Sequence, residues 1–154
     1  MADIVDPAKR SQMMAGIGAK NTKPEVMVRQ SLHRIGYRFR LHRKDLPGKP
    51  DIVLPKWKTV VFVHGCFWHG HQDCPIFRLP KSRTEFWKAK IEGNQKRDVR
   101  RRCQYQGSGW KLLEVWECAL KGPGKLSELE FVEQLRLAIE TQDGVPNDIR
   151  GHTR

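Results

Sequence analysis

The sequence is short of long apolar runs, of acidic residues and of cysteine, and it contains no internal repeat and no low-complexity segment. Its longest apolar stretch, Thr59 to Val63, falls far below the about 20 residues that a membrane-spanning helix needs. Met1 to Arg10 is polar, with no apolar signal core. These absences argue against membrane insertion and secretion, and the expected location is the cytoplasm. Only 17 Asp and Glu stand against 29 Lys and Arg, so the 154-residue chain carries a formal net charge of +12. Its apolar share of 38% is too high for a disordered basic tail. One folded basic domain is expected, and excess charge of this size favours a polyanionic partner, either nucleic acid or an anionic membrane surface.

The charge is clustered. Lys9 to Lys49 holds eleven Lys and Arg against two acids, Glu25 and Asp45, and Lys81 to Arg102 holds nine against three. Two basic segments that meet in the fold would form a groove, whereas scattered charge would be an ordinary solvated surface.

Residues 1–21 lack periodicity and read as an arm ordered by contact with something else. Thr22, Pro24 and Glu25 make a helix start with a capping box, followed by Val28, Leu32 and Ile35 at helical spacing. Tyr37, Phe39 and Leu41 alternate with Arg38 and Arg40, as in a half-exposed strand. Two further strands, Asp51–Leu54 and Thr59–Val63, read as a hairpin turning at Pro55 to Lys58. Ser82 and Glu85 predict a capping box for a long basic helix to about Tyr105, in which Phe86 packs with Ala89. Trp110 to Trp116 is a fourth strand, and Ser127 with Glu130 opens a last helix with the stripe Leu129, Val132, Leu135 and Ile139. This order predicts an α/β domain, a mixed β-sheet flanked by helices, with the third and fourth strands parallel. The domain spans residues 22–140, and residues 141–154 read as a polar tail.

Cys66, His71 and Cys74 fall within nine residues, and Cys118 follows the fourth strand. Thiolates and an imidazole suit the closed tetrahedral shell of a structural zinc. A Cys66–Cys74 disulfide or unpaired buried thiols are the other readings, and a reducing cytosol argues against the disulfide. Cys103, in the basic helix, reads as a small packing residue.

Asp51 opens a strand beside the one that ends at His64. A carboxylate there can hold Mg²⁺, and His64 and His69 can move protons near neutral pH. Turn chemistry after Pro50 also explains Asp51, and ordinary hydrogen bonding also explains either histidine. Glu25 completes a helix cap and could in addition face Asp51, while Asp98 neutralises its basic neighbours on the helix. Phe67 and Trp68 lie in a Gly- and His-rich loop, where large rings are costly to expose unless something stacks on them.

The strings Leu46-Pro47-Gly48-Lys49-Pro50-Asp51, Val63-His64-Gly65-Cys66-Phe67-Trp68-His69, Arg83-Thr84-Glu85-Phe86-Trp87 and Trp116-Glu117-Cys118-Ala119-Leu120 resemble the very short patch repair endonucleases. The resemblance runs in chain order from about Arg10 to Leu120. It implies a restriction-endonuclease-like fold with a structural zinc site, in a bacterial enzyme of the nucleoid. The implied activity is nicking of one DNA strand 5′ to the thymine of a T:G mismatch left by deamination of 5-methylcytosine.

Carried over by position, Asp51 would bind Mg²⁺ together with the Val63 carbonyl. His69 would be the general base, helped by His64, and Glu25 and Asp98 would hold water around the metal. Cys66, His71, Cys74 and Cys118 would bind Zn²⁺. Phe67, Trp68 and Trp87 would insert beside the mismatch, Met14 would approach from the minor groove, and Lys90 and Asn94 would contact the mismatched bases. The resemblance further implies a monomer acting on double-stranded DNA, with mismatch-repair proteins as possible partners.

Many nucleases of that fold carry an acid and a lysine after the Pro-Asp strand, where this chain has Val63 and Gly65, so base catalysis falls to histidine. The loop from His69 to Cys74 is one residue longer and less histidine-rich than in other members. Two rival expectations stand beside this one: a zinc-stabilised nucleic-acid-binding module without activity, and a site-specific nuclease acting on paired DNA.

Overall fold

The computed structural model describes residues 22–141 and 147–153, so Met14 and the expected arm lie outside the described residues. Helix α1 (Lys23–Arg34) starts as its sequence dictates: the Thr22 hydroxyl accepts from the Glu25 N–H at 3.4 Å, and Pro24 sits in the first turn, where no N–H is needed. The strand expected from Tyr37 shrinks to β1 (Arg40–Leu41). At one side the Tyr37 N–H is taken by the Leu32 carbonyl at the helix end, and at the other His42 turns the chain with a φ of 49°.

Strands β2 (Ile52–Leu54) and β3 (Thr59–His64) form the expected antiparallel hairpin, with Ile52 opposite Val61 and Leu54 opposite Thr59. The turn is a single 3₁₀ turn, Pro55–Trp57, closed by Lys58 in the left-handed region at φ 47°. Helix α2 (Thr84–Tyr105) begins two residues later than the expected cap. Arg83 takes a left-handed φ of 55°, and the Thr84 hydroxyl donates to the Pro80 and Lys81 carbonyls at 2.8 and 3.0 Å, so the Ser82 and Glu85 capping box is not formed. Phe86 and Ala89 are exposed rather than packed, with the Arg83 guanidinium 4.3 Å over the Phe86 ring. Cys103 is exposed as well, because it lies on the solvent side of this helix.

Strand β4 (Lys111–Trp116) pairs parallel to β3 along its whole length, as the helical crossover predicts. Helix α3 (Glu128–Glu140) carries the predicted capping box, with Ser127 Oγ and Glu130 N 3.1 Å apart and the return bond at 3.0 Å. Its buried stripe is Phe131, Leu135, Ala138 and Ile139, whereas Leu129 is 71% exposed and Val132 half-buried, so the stripe starts at Phe131 and not at Leu129. The Lys111 ammonium caps the far end, donating to the Ala138 and Ile139 carbonyls at 2.7 and 2.9 Å.

Part of the segment expected as a polar tail enters the sheet. Strand β5 (Asp148–Ile149) pairs parallel with β4, Ile149 opposite Val115, and the sheet order is β1-β2-β3-β4-β5. The sheet is therefore mixed, antiparallel on one side of β3 and parallel on the other.

Alternation along the strands sorts the two faces. Ile52, Leu54, Val61, Leu113, Val115 and Ile149 face α1 and α3 and form the main core with Val28, Leu32 and Leu135. Val53, Val60, Phe62 and Leu112 face the other way and pack with Tyr105 of α2. By the same alternation His64, Glu114 and Trp116 fall on the α2 side. Replacing Ile149, buried to 1% exposure, by Ala is expected to cost about 2–5 kcal/mol in urea unfolding; a loss under a few tenths would mean that β5 contributes nothing to the fold.

Candidate active site and metal centre

A cleft of about 1230 Å³ opens between the start of α1, the ends of β2 and β3, and α2. Asp51, His64 and His69 all line it, and Lys49, Lys90, Arg97 and Arg101 stand around them. Asp51 precedes β2 and accepts a 2.8 Å hydrogen bond from the Val63 N–H through Oδ2, which ties it across the hairpin. Glu25 is 2% exposed and bonds His42 at 2.9 Å, with Arg29 at 3.6 Å. Ligand atoms of Glu25, His42 and Asp51 all lie within 4.8 Å of one another. Burial first, and then the Glu25 charge and hydrogen bond, raise the Asp51 carboxyl to about 7 against the pull of Val63 N–H and Arg101. Two neighbouring carboxylates presenting oxygen donors fit a hard divalent cation.

The two histidines are each held by a carboxylate. His64 Nε2 lies 2.7 Å from Glu114 Oε2, and His69 Nδ1 lies 2.6 Å from Asp98 Oδ2. Their rings pack with centroids 4.1 Å apart. Arg102 grips Glu114 with two bonds of 2.7 and 2.9 Å, and Arg101 reaches Asp98 at 3.4 Å. Asp98 thus serves both its basic helix neighbour and His69. Burial lowers the proton affinity of His64, only partly offset by Glu114, so its imidazole is neutral at pH 7. Burial alone would raise the Glu114 carboxyl, but hydrogen bonds from His64 and Arg102, with the Arg102 charge, bring it down to about 2.

Cys66, His71, Cys74 and Cys118 converge, with their four ligand atoms within 4.8 Å of one another. No disulfide forms among them. His71 Nδ1 lies 3.5 Å from both Cys66 Sγ and Cys118 Sγ. A tetrahedral zinc, with bonds of about 2.3 Å to sulfur and about 2.0–2.1 Å to nitrogen, separates such atoms by about 3.6 Å. The donor set therefore fits zinc in type and in spacing. The Cys66–Cys118 hydrogen bond raises the Cys66 thiol and lowers that of Cys118. Trp116 stacks on His71 at 3.7 Å and 3° and fixes the ring plane.

Phe67, Trp68 and Trp87 form one aromatic cluster at the cleft, with centroids 5.3 to 5.8 Å apart. The Asn94 amide donates to the Trp68 carbonyl at 2.7 Å and accepts from Arg97 at 3.2 Å, while Lys90 lines the same cleft with an exposed side chain. Sequence reasoning missed His42, Glu114 and Arg102. Glu114 did carry a signal, being the one acid in the otherwise apolar strand Leu-Leu-Glu-Val-Trp, a place where a charge must be paired. His42 carried none.

Glu114 ionises at about 2 in the folded chain against an ordinary 4.5, so its stabilising contribution is complete above pH 4.5 and is lost as pH falls towards 2. Glu114→Gln is expected to lower stability at pH 7 and to flatten the pH dependence of urea unfolding between about 4.5 and 2. An unchanged slope in that window would refute the pairing.

A family model described as "DNA mismatch endonuclease Vsr" matches residues 2–75. The chain is 53% identical over 126 residues to the Type II nicking enzyme V.XorIIP of Xanthomonas oryzae, covering 82% of this chain and 92% of that one. It is 50% identical over 145 residues to the Type II nicking enzyme V.NmeAIP of Neisseria meningitidis, covering 94% and 100%. To the DNA mismatch endonuclease Vsr of Escherichia coli it is 44% identical over 135 residues, covering 88% and 86%. With relatives this similar along nearly their whole length, and with the strings around Asp51, His64 and Cys118 folded into one site, the chain belongs to the Vsr family of DNA mismatch endonucleases.

Proposed function

We propose that this protein is a Mg²⁺-dependent DNA endonuclease that nicks one strand 5′ to the thymine of a T:G mismatch and so initiates very short patch repair. The observation that carries the reading is the His69–Asp98 pair beside the half-buried Asp51 in a cleft with basic walls. A non-catalytic binding module has no use for that pair. The fold is read as restriction-endonuclease-like, with residues 22–140 and the strand β5 as the catalytic unit and residues 1–21 as a DNA-contacting arm that brings Met14 to the minor groove.

Asp51 and the Val63 carbonyl would hold the magnesium. That ion supplies electrophilic assistance, drawing charge from the scissile phosphate and the leaving oxygen. The remaining work belongs to the chain. Asp98 holds Nδ1 of His69, which fixes the ring and makes Nε2 the nitrogen that takes a proton from the attacking water. His64, neutral and packed at a tilt against His69, keeps a second charge away from that ring. Glu25 would orient water near Asp51. Lys49, Arg97 and Arg101 bind the phosphate backbone, and Lys90 and Asn94 face the mismatched bases.

Phe67, Trp68 and Trp87 act as the wedge. A T:G step unstacks and bends more easily than a paired one, so insertion costs less there, and this difference supplies selectivity. Cys66, His71, Cys74 and Cys118 would bind a structural zinc that stiffens the wedge-bearing loop. The substrate is double-stranded DNA on the bacterial nucleoid, the enzyme acts as a monomer, and mismatch-repair proteins are candidate partners.

Two relatives are nicking enzymes by name, which favours a second reading in which a particular paired sequence is cut. Matched T:G and C:G duplexes in Mg²⁺ separate the two. Nicking of T:G alone is expected, and His69→Ala is expected to slow it about 10²–10⁴-fold with duplex binding retained. Equal cutting of both duplexes would establish the second reading, and wild-type nicking by His69→Ala would remove histidine from the chemistry.

A further inference from the structure

The C-terminal residues do more than extend the sheet. Beyond β5, the Gly151 N–H donates to Cys118 Sγ at 3.3 Å. The Arg150 guanidinium donates to the Gln72 and Asp73 carbonyls at 2.7 and 3.0 Å, the two residues that separate His71 from Cys74. Arg150 Nε is the one buried side-chain polar atom without a partner among the described residues, so those two carbonyl bonds are what orient the guanidinium. Position 151 has no room for a side chain: an added Cβ would stand 2.2 Å from the Cys118 carbonyl oxygen and 2.7 Å from that of Gly124. The chain then continues along Gly124, whose carbonyl accepts from the His152 N–H at 2.6 Å, and the His152 ring meets Glu130 at 3.0 Å.

We propose that the segment from Asn147 to Thr153 is an integral wall of the Cys/His metal centre, with Gly151 and Arg150 positioning two of its ligand-bearing elements. The inference rests on reading that centre as a zinc site. Its chemistry follows from what a zinc-bound thiolate needs. A sulfur with negative charge is held by donors from its surroundings, and such outer partners tune both affinity and ligand orientation. Gly151 supplies the donor to Cys118, and only a residue without a Cβ brings its N–H that close. Arg150 pins the two carbonyls of the short link between His71 and Cys74, and so sets the spacing between a nitrogen ligand and a sulfur ligand. The same loop carries Phe67, Trp68 and His69 at its other end, so the C-terminal segment reaches the cleft through the metal. The arrangement is reciprocal: the metal holds the sulfur on which the segment docks, and the segment holds the sulfur for the metal.

The test uses the full chain loaded with zinc and follows transfer of the metal to a chromogenic chelator at neutral pH. Arg150→Ala and Gly151→Ala are expected to release zinc about 10–100-fold faster than the wild type. Leu32→Ala, on the buried face of α1 in the main core, lowers global stability without touching the centre and is expected to release zinc at the wild-type rate. Arg150→Ala keeps the proposal testable if Gly151→Ala fails to fold. In the wild type, stripping the zinc is expected to speed amide exchange at Ile149–His152 more than in β3. Wild-type release from both C-terminal variants would overturn the proposal, as would release from Leu32→Ala as fast as theirs, which would make global unfolding the route. A wild-type chain that binds no zinc would instead overturn the reading of the metal centre itself.

Discussion

The site depends on one constraint: charge placed on the α2 side of the sheet has to be paired, because a helix lies over it. Glu114 sits in the middle of a parallel strand with almost no solvent contact, and an ionised carboxylate there survives only with donors on every side. His64 from the neighbouring strand and Arg102 from the helix supply them. The three residues come from three elements, so the pairing fixes how α2 crosses the sheet. Once α2 is fixed, Asp98 stands one turn before Arg102 and meets His69. The geometry of the proposed base thus follows from the burial of an acid that never needs to touch the substrate.

The chain uses its cysteine and histidine sparingly but places them at joints. The loop between β3 and α2 is held at two successive points in its first half. Near its start His69 is tied to Asp98 on α2, and past it His71 and Cys74 are tied to Cys66 and Cys118. Gly70, between the two ties, has a φ of 56°, and its Cα approaches Ile91 and Gln95 so closely that an added Cβ would lie 2.5 Å from both. The loop is drawn against α2 because nothing larger than glycine separates them there.

Much of this was legible in the sequence, and the failures have physical causes. The hairpin, the parallel crossover and the Ser127 box depend on short-range chemistry, and they appear as the pattern predicts. The Ser82 cap failed because Pro80 and Lys81 offer carbonyls that Thr84 takes instead, a competition invisible in residue spacing. Residues 147–153 read as tail because two strand residues carry no periodicity, and their value comes from partners more than thirty residues away. At the site, Asp51, His64 and His69 stand out by their places at strand ends, and the four zinc candidates by cysteine and histidine spacing. Their partners Glu114, Arg102 and His42 are ordinary residues whose importance is created only by tertiary contact.

Trp116 gathers these threads in one side chain. Its indole stacks flat on His71, meets His64 with centroids 4.9 Å apart and meets His69 edge-on at 6.1 Å. An aromatic plate touching three imidazoles cannot move towards one without leaving another. A change at this position is therefore felt at once by the Cys/His cluster and by the two cleft histidines. A lineage that altered the size of this ring would have to rebuild both together and could not exchange one for the other.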